Sequence, residues 1–333
     1  MTANTDTAPL LKATGLKQEF DVSKPLLNRL LERKPRQFLT AVDGVDFSVK
    51  PGETFALVGE SGCGKSTIAN MVVGLYKPTS GKIYFDSIDM STIASHREEM
   101  KLRRRMSMIF QDPYASLNPR WRVTKIISEP IRAFGLLNEK QAILDRTAGL
   151  LRKVGLSARD GDKFPHEFSG GQRQRISIAR ALASEPEFIV CDEPTSALDV
   201  SVQAQILNLM SDLQRQFNLS YLFISHDLAV VRHMSDRVGV MYLGRLCETA
   251  QVDDLFNNPL HPYTRLLIDT IPDIEMTGRE RTPVQGEIPN PMDPPKGCPF
   301  HPRCPLAEDH CRTTQPTLRS IGEGRSVACH AIA

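Results

Sequence analysis

The segment Gly59-Glu60-Ser61-Gly62-Cys63-Gly64-Lys65-Ser66, with Thr67 after it, constrains this chain more than any other stretch. An apolar run, Thr54 to Val58, feeds it, and a helical pattern from Gly64 to Gly74 leaves it. Its glycines let backbone N–H groups approach phosphate oxygens with no side chain between. Lys65 is then the residue that reaches the β- and γ-phosphates, and the Ser66 hydroxyl is a ligand for magnesium. Strand, phosphate loop and helix in that order belong to an α/β sheet whose ligand is a nucleoside triphosphate such as ATP. A plain glycine-rich turn is the bland alternative, and the flanking strand and helix weigh against it.

The same alternation continues along the chain. Leu10 to Phe20 and Ala41 to Val49 read as strands, separated by a basic, leucine-bearing insertion, Pro25 to Phe38, expected as a hairpin or short helix. Met106 to Phe110 is a strand, and Val123 to Gly155 is helical with Pro130 and Gly135 as interruptions. A helix capped by Ser169 runs to Ala183, and Phe188 to Cys191 is a short apolar strand. Helix Val202 to Phe217, strand Tyr221 to Ile224, helix Leu228 to Met234 and strand Val238 to Tyr242 follow. Strands alternating with helices imply an α/β fold, a mainly parallel or mixed sheet covered on both faces. The expected organisation is a disordered stretch 1–9, a domain over 10–272 with a helical part at about 112–180, and a Pro-, Gly- and Cys-rich extension over 273–333.

Asp192 and Glu193 end the apolar strand, at the carboxyl edge where ligands bind in parallel sheets. Adjacent carboxylates there need a cation or a proton. Asp192 therefore reads as a magnesium ligand of the outer sphere, acting through water, and Glu193 as the general base that polarises an attacking water. Ser169-Gly170-Gly171-Gln172 opens a second helix whose N–H groups and dipole favour an anion. The phosphate loop already has its own helix, so this second one makes sense serving a γ-phosphate held by another subunit.

Bulk properties exclude little. The net charge of +2 over 333 residues gives no argument for nucleic acid. No apolar run approaches the ~18 residues of a membrane span. The start, Met1-Thr-Ala-Asn-Thr-Asp, lacks a secretory pattern, so a cytosolic protein is expected, with any membrane role supplied by partners.

These motifs, complete and in order over about residues 10 to 270, resemble the ABC ATPases. The resemblance implies that Gln111, in Gln111-Asp-Pro-Tyr-Ala-Ser-Leu-Asn-Pro-Arg120, senses the γ-phosphate and joins magnesium with Ser66 and Asp192. His226 is similar to the switch histidine, and Ser196-Ala-Leu-Asp199 to the loop touching the opposing subunit. Phe20 matches the position that stacks on adenine. One departure is Phe168, where the signature usually begins with Leu. His261-Pro-Tyr-Thr-Arg265, Gly286-Glu-Ile-Pro-Asn-Pro and Pro294-Pro-Lys-Gly-Cys298-Pro-Phe-His-Pro-Arg-Cys304-Pro resemble the tail of the ATPase subunits of bacterial oligopeptide/dipeptide importers. The implied activity is ATP hydrolysis coupled to peptide uptake at the cytoplasmic face of the inner membrane. The implied partners are a paralogous ATPase forming a heterodimer, two membrane permeases and an extracytoplasmic peptide-binding protein.

The tail cysteines Cys298, Cys304, Cys311 and Cys329 are spaced C-x5-C-x6-C-x17-C, unlike the C-x2-C pairs of a zinc ribbon. Such thiolates satisfy tetrahedral zinc or a cubane cluster, and free cysteines are the third reading. The family resemblance implies a 4Fe–4S cluster, with His301, His310 and His330 near enough in sequence to substitute. A soluble ABC ATPase of iron–sulfur cofactor assembly is the alternative function.

Overall fold

The computed structural model describes residues 8–23, 35–270, 286–322 and 324–332. Most of the N-terminal stretch expected to be disordered, most of the basic insertion and the boundary near residue 272 lie outside the described residues. In chain order the first elements are β1 (Leu11–Asp21), β2 (Phe38–Val49), β3 (Thr54–Val58), α1 (Lys65–Val72), β4 (Ser80–Phe85) and β5 (Ile88–Asp89). Next come α2 (His96–Arg104), β6 (Met106–Ile109), α3 (Pro113–Ser116), α4 (Val123–Ala133), α5 (Lys140–Lys153) and α6 (Gly170–Leu182). The acidic strand is β7 (Phe188–Asp192), followed by α7 (Val200–Phe217), β8 (Ser220–Ile224), α8 (Leu228–Met234), β9 (Arg237–Tyr242) and β10 (Arg245–Gln251). Helices α9 (Val252–Asn257) and α10 (Pro262–Asp269) precede the tail strands β11 (Arg319–Gly322) and β12 (Arg325–Val327).

The chain divides into two units, the first drawn from Met1–Leu11, Val49–Thr54 and Phe85–Ser225. Its strands β6, β7 and β8 pair in parallel, with Met106 opposite Phe188 and Cys191 opposite Phe223. Every residue of β7 and β8 is buried, as their unbroken apolar runs require of strands covered on both faces. Helix α4 presents Val123, Ile126, Ile127 and Ile131 at helical spacing and packs on α5 and α6. Pro130 does not interrupt it. The proline forfeits one backbone bond, and the helix ends soon after at Ala133, where the N–H of Leu136 donates to the carbonyl of Ile131 and that of Gly135 to Arg132.

The second unit holds Lys12–Ser48, Phe55–Tyr84 and His226–Ala333. Within it β2, β1 and β4 lie side by side. Strand β3 pairs in parallel with β9, β9 antiparallel with β10, β10 antiparallel with β12, and β12 antiparallel with β11. The sheet is therefore mixed. Its tail strands escape sequence reading because β10 carries an ion pair inward: Glu248, fully buried, faces Arg325 at 3.4 Å.

Candidate nucleotide site

The second unit carries the phosphate loop. Gly64 caps α1 with φ 105°, and a Cβ there would stand 2.3 Å from the carbonyl oxygen of Ala41, so only glycine fits. No side-chain hydrogen bond caps α1, and the first-turn N–H groups of a helix are in general suited to an anion. Lys65 is buried, its ammonium donating to the carbonyls of Gly59 at 2.8 Å and Glu60 at 3.1 Å. A phosphate oxygen, being charged, is a stronger acceptor than either. Ser66 and Thr67 follow in the same first turn. Burial pushes the Cys63 thiol up, which disfavours the thiolate.

A second layer of this loop is not legible as a motif. The Glu60 carboxylate accepts from both terminal nitrogens of Arg303, at 2.7 and 2.9 Å, and the Glu60 N–H donates to the hydroxyl of Tyr263 at 3.0 Å. The Arg303 guanidinium also donates to the Tyr242 hydroxyl at 3.3 Å. The tail thus reaches the loop, and no local pattern could have announced a pair so distant in sequence. Phe20 also belongs to this unit. It is half-buried and meets Tyr76 edge-on, centroids 5.8 Å apart. His226 precedes α8, whose cap Asp227 accepts from the N–H groups of Ala229 and Val230.

The first unit holds the acidic strand, the glutamine loop and the signature helix. Asp192, 6% exposed, closes β7 opposite Ile224. Glu193 takes φ 45°, the left-handed region that a residue with a side chain enters only under constraint. The constraint is visible: its N–H donates to Ile224 at 2.9 Å, and its carbonyl accepts from Ser196 Oγ at 3.1 Å. The Glu193 carboxylate accepts from Gln111 Nε2 at 3.0 Å. Two side chains separated widely in sequence are thereby joined.

Ser169 and Gln172 form a reciprocal capping box at the start of α6: Ser169 Oγ accepts from the Gln172 N–H, and Gln172 Oε1 from the Ser169 N–H at 3.0 Å. A Cβ on Gly171 would lie 2.4 Å from Val202, and one on Gly170 3.4 Å from Leu198. Both glycines therefore let α6 approach the Ser196–Asp199 loop and α7, whose cap is Asp199. Phe168 is buried, as the usual leucine would be. Arg173, also buried, donates to the Pro165 carbonyl at 2.7 Å and lies 3.5 Å over the Tyr114 ring, tying α6 to the glutamine loop.

The tail cysteines Cys298, Cys304, Cys311 and Cys329 line one small cavity with His301 and His330. Among the described residues, no group of three or more His, Cys, Asp or Glu side chains converges to hold a metal ion. That arrangement lends no support to either the zinc or the iron–sulfur reading of these cysteines. Burial pushes the Cys298 thiol up to about 11, and those of Cys304 and Cys329 upward too.

Residues 42–196 match the family model described as ABC transporter, and residues 247–311 the one described as oligopeptide/dipeptide transporter, C-terminal region. The oligopeptide transport ATP-binding protein AppF of Bacillus subtilis (strain 168) is 48% identical, covering 98% of this chain and 98% of its own. This chain belongs to the ATP-binding proteins of oligopeptide and dipeptide ABC transporters. Another member, the dipeptide transport ATP-binding protein DppF of Escherichia coli (strain K12), is 45% identical over 97% of this chain and 95% of its own. Among solved structures, the dimeric ATP-binding cassette MJ0796 in a post-hydrolysis state bound to ADP and Pi aligns with a TM-score of 0.62. It shares 27% identity and covers 73% of this chain and 98% of that one. The α/β fold of an ABC ATPase is thereby established for this ATP-binding protein. The cofactor-assembly alternative finds no support in these relatives. Among the described residues, no helix is long and apolar enough to cross a membrane.

Proposed function

We propose that this chain is the ATP-hydrolysing subunit of a peptide importer, held at the cytoplasmic face of the membrane by its permease partners. The observation that carries the reading is Glu193: a carboxylate at the end of β7, on constrained backbone, oriented by Gln111 at 3.0 Å. A general base needs that kind of fixed aim. Lys65 and the N–H groups of residues 59 to 67 take the phosphates, and Phe20 takes adenine. Ser66, Asp192 and Gln111 are hard oxygen donors suited to magnesium, which when bound neutralises phosphate charge. Glu193 accepts the proton of the attacking water, His226 holds water and γ-phosphate in register, and Gln111 reports the γ-phosphate to α3 and α4. The Ser169–Gln172 cap and Asp199 serve the nucleotide held by a paralogous subunit, in a heterodimer that closes on ATP and turns two permeases fed by a peptide-binding protein.

For the tail cysteines the reading is a 4Fe–4S cluster, which four cysteine thiolates are chemically suited to bind. Cys298, Cys304, Cys311 and Cys329 would hold it, as a cross-link of the tail. Iron and sulfide assay of the anaerobically purified chain checks this, with stoichiometric zinc as the losing outcome.

For the principal reading, Glu193→Gln is expected to keep ATP affinity within about twofold while turnover falls by ~10²-fold or more. With the paralogous subunit and MgATP it should run as a stable pair on size exclusion. Ordinary turnover by this variant would overturn the assignment.

A further inference from the structure

The contact between Arg303 and Glu60 is left unexplained by nucleotide chemistry at the loop itself. Glu60 lies inside the phosphate loop, and a carboxylate there repels a triphosphate. Arg303 answers that charge from the tail, with a two-pronged pair whose arginine side chain is only 2% exposed and whose glutamate is 24% exposed. The fork is walled by the rings of Tyr242 and Phe300, whose centroids lie 5.7 and 6.0 Å from the guanidinium carbon. Phe300 itself packs on Tyr242 and Tyr263, both at 5.3 Å between centroids. The same glutamate is gripped at its backbone: its N–H by the Tyr263 hydroxyl and its carbonyl by the Lys65 ammonium. Arg303 stands on the turn His301–Arg303, between Cys298 and Cys304, where the Cys298 carbonyl accepts from the His301 N–H at 3.0 Å.

We propose that Arg303 is a positioning residue for ATP: it neutralises and anchors Glu60, so the loop meets the triphosphate with fixed backbone and no competing negative charge. The tail is then a working part of the nucleotide site. By linkage, whatever orders the turn between Cys298 and Cys304 strengthens nucleotide binding, and nucleotide strengthens the order of that turn. The inference rests on the phosphate-loop reading above.

The test measures affinity of the full chain for trinitrophenyl-ATP, with ATP competition, at low and moderate salt, alongside the urea unfolding midpoint. Arg303→Ala is expected to weaken ATP roughly tenfold at low salt, and less as salt screens the exposed charge. Arg303→Lys, which keeps charge but loses the fork, should recover part of the affinity. Adding Glu60→Gln to Arg303→Ala should recover most of it, because the repelling carboxylate is gone. A merely structural staple makes a different forecast, since removing both partners would then restore no affinity. Unchanged affinity in Arg303→Ala, or a double variant no better than the single, overturns the inference. Lys65→Ala separates the two layers. Loss of ATP in that variant with none in Arg303→Ala sinks the tail's role alone, whereas retention of ATP by Lys65→Ala sinks the nucleotide reading beneath it.

Discussion

Gly171 shows what a single residue does here that its motif does not explain. The Ser169-Gly170-Gly171-Gln172 segment is readable as an anion-binding helix start, and that reading needs only small residues. The fold gives Gly171 a second duty, because a Cβ there would sit 2.4 Å from Val202 on α7. Gly171→Ala is expected to destabilise the chain by ~1–3 kcal/mol through overpacking and to lower ATP turnover as α6 tilts. A urea midpoint unchanged from wild type would mean that Val202 moves aside freely. Glu193 and Lys65 were legible as candidates because their types and order follow from phosphate chemistry, and Gln111 only through the family resemblance. Arg303 and Tyr263 were not, because an isolated arginine or tyrosine carries no period or spacing to read. Their partner Glu60 is adjacent only after folding.

Helix α10 is an element whose start fixes a protonation state. His261, 2% exposed, caps it by accepting the Tyr263 N–H on Nδ1 at 3.0 Å, which a protonated ring cannot do. Burial lowers its pKa from 6.5 to about 4. Above pH 6.5 the ring is neutral folded and unfolded alike, so nothing changes there. As pH falls from 6.5 toward about 4, the unfolded chain takes up a proton that the folded chain refuses, and stability is lost. The full loss is about 3 kcal/mol, complete once pH is below the folded value. Urea unfolding at pH 7.5 and pH 5 should show part of this loss in wild type, and a shallower slope in His261→Asn, which keeps a capping acceptor but cannot titrate. An equal slope in both would remove His261 from the account. The sequence marked His261 only through its motif, and Pro130 misled in the opposite direction. Proline was read as an interruption, yet α4 runs through Pro130 to Ala133.

At the scale of the whole molecule, composition suggested a tail set apart from the ATPase core. Pairing in the second unit says otherwise. Strand β12 lies on β10 with Val327 opposite Glu248, and the wholly buried Glu248 also accepts from the N–H groups of Leu260 and His261, the latter at 2.8 Å. Arg325 of the tail stands 3.4 Å from that carboxylate. Composition could not foretell this, since it reports what a segment is made of and not which edge it completes. Removing residues 271–333 would uncover the edge of β10, take a positive partner from a buried carboxylate, and strip Phe300 from Tyr242 and Tyr263. A severed buried charge pair alone costs ~3–5 kcal/mol, and an uncovered strand edge invites association. A chain ending at Thr270 is therefore expected to aggregate, or to unfold far below the full chain, whatever its intact phosphate loop and signature helix. Arg325→Met offers a milder check, since it deletes the partner while keeping the stem: it should lower the unfolding midpoint without the aggregation of the truncation. If the truncated chain instead melted cooperatively at the temperature of the full one, the tail would be an appendage, and Glu248 would have to be carried by its backbone donors alone.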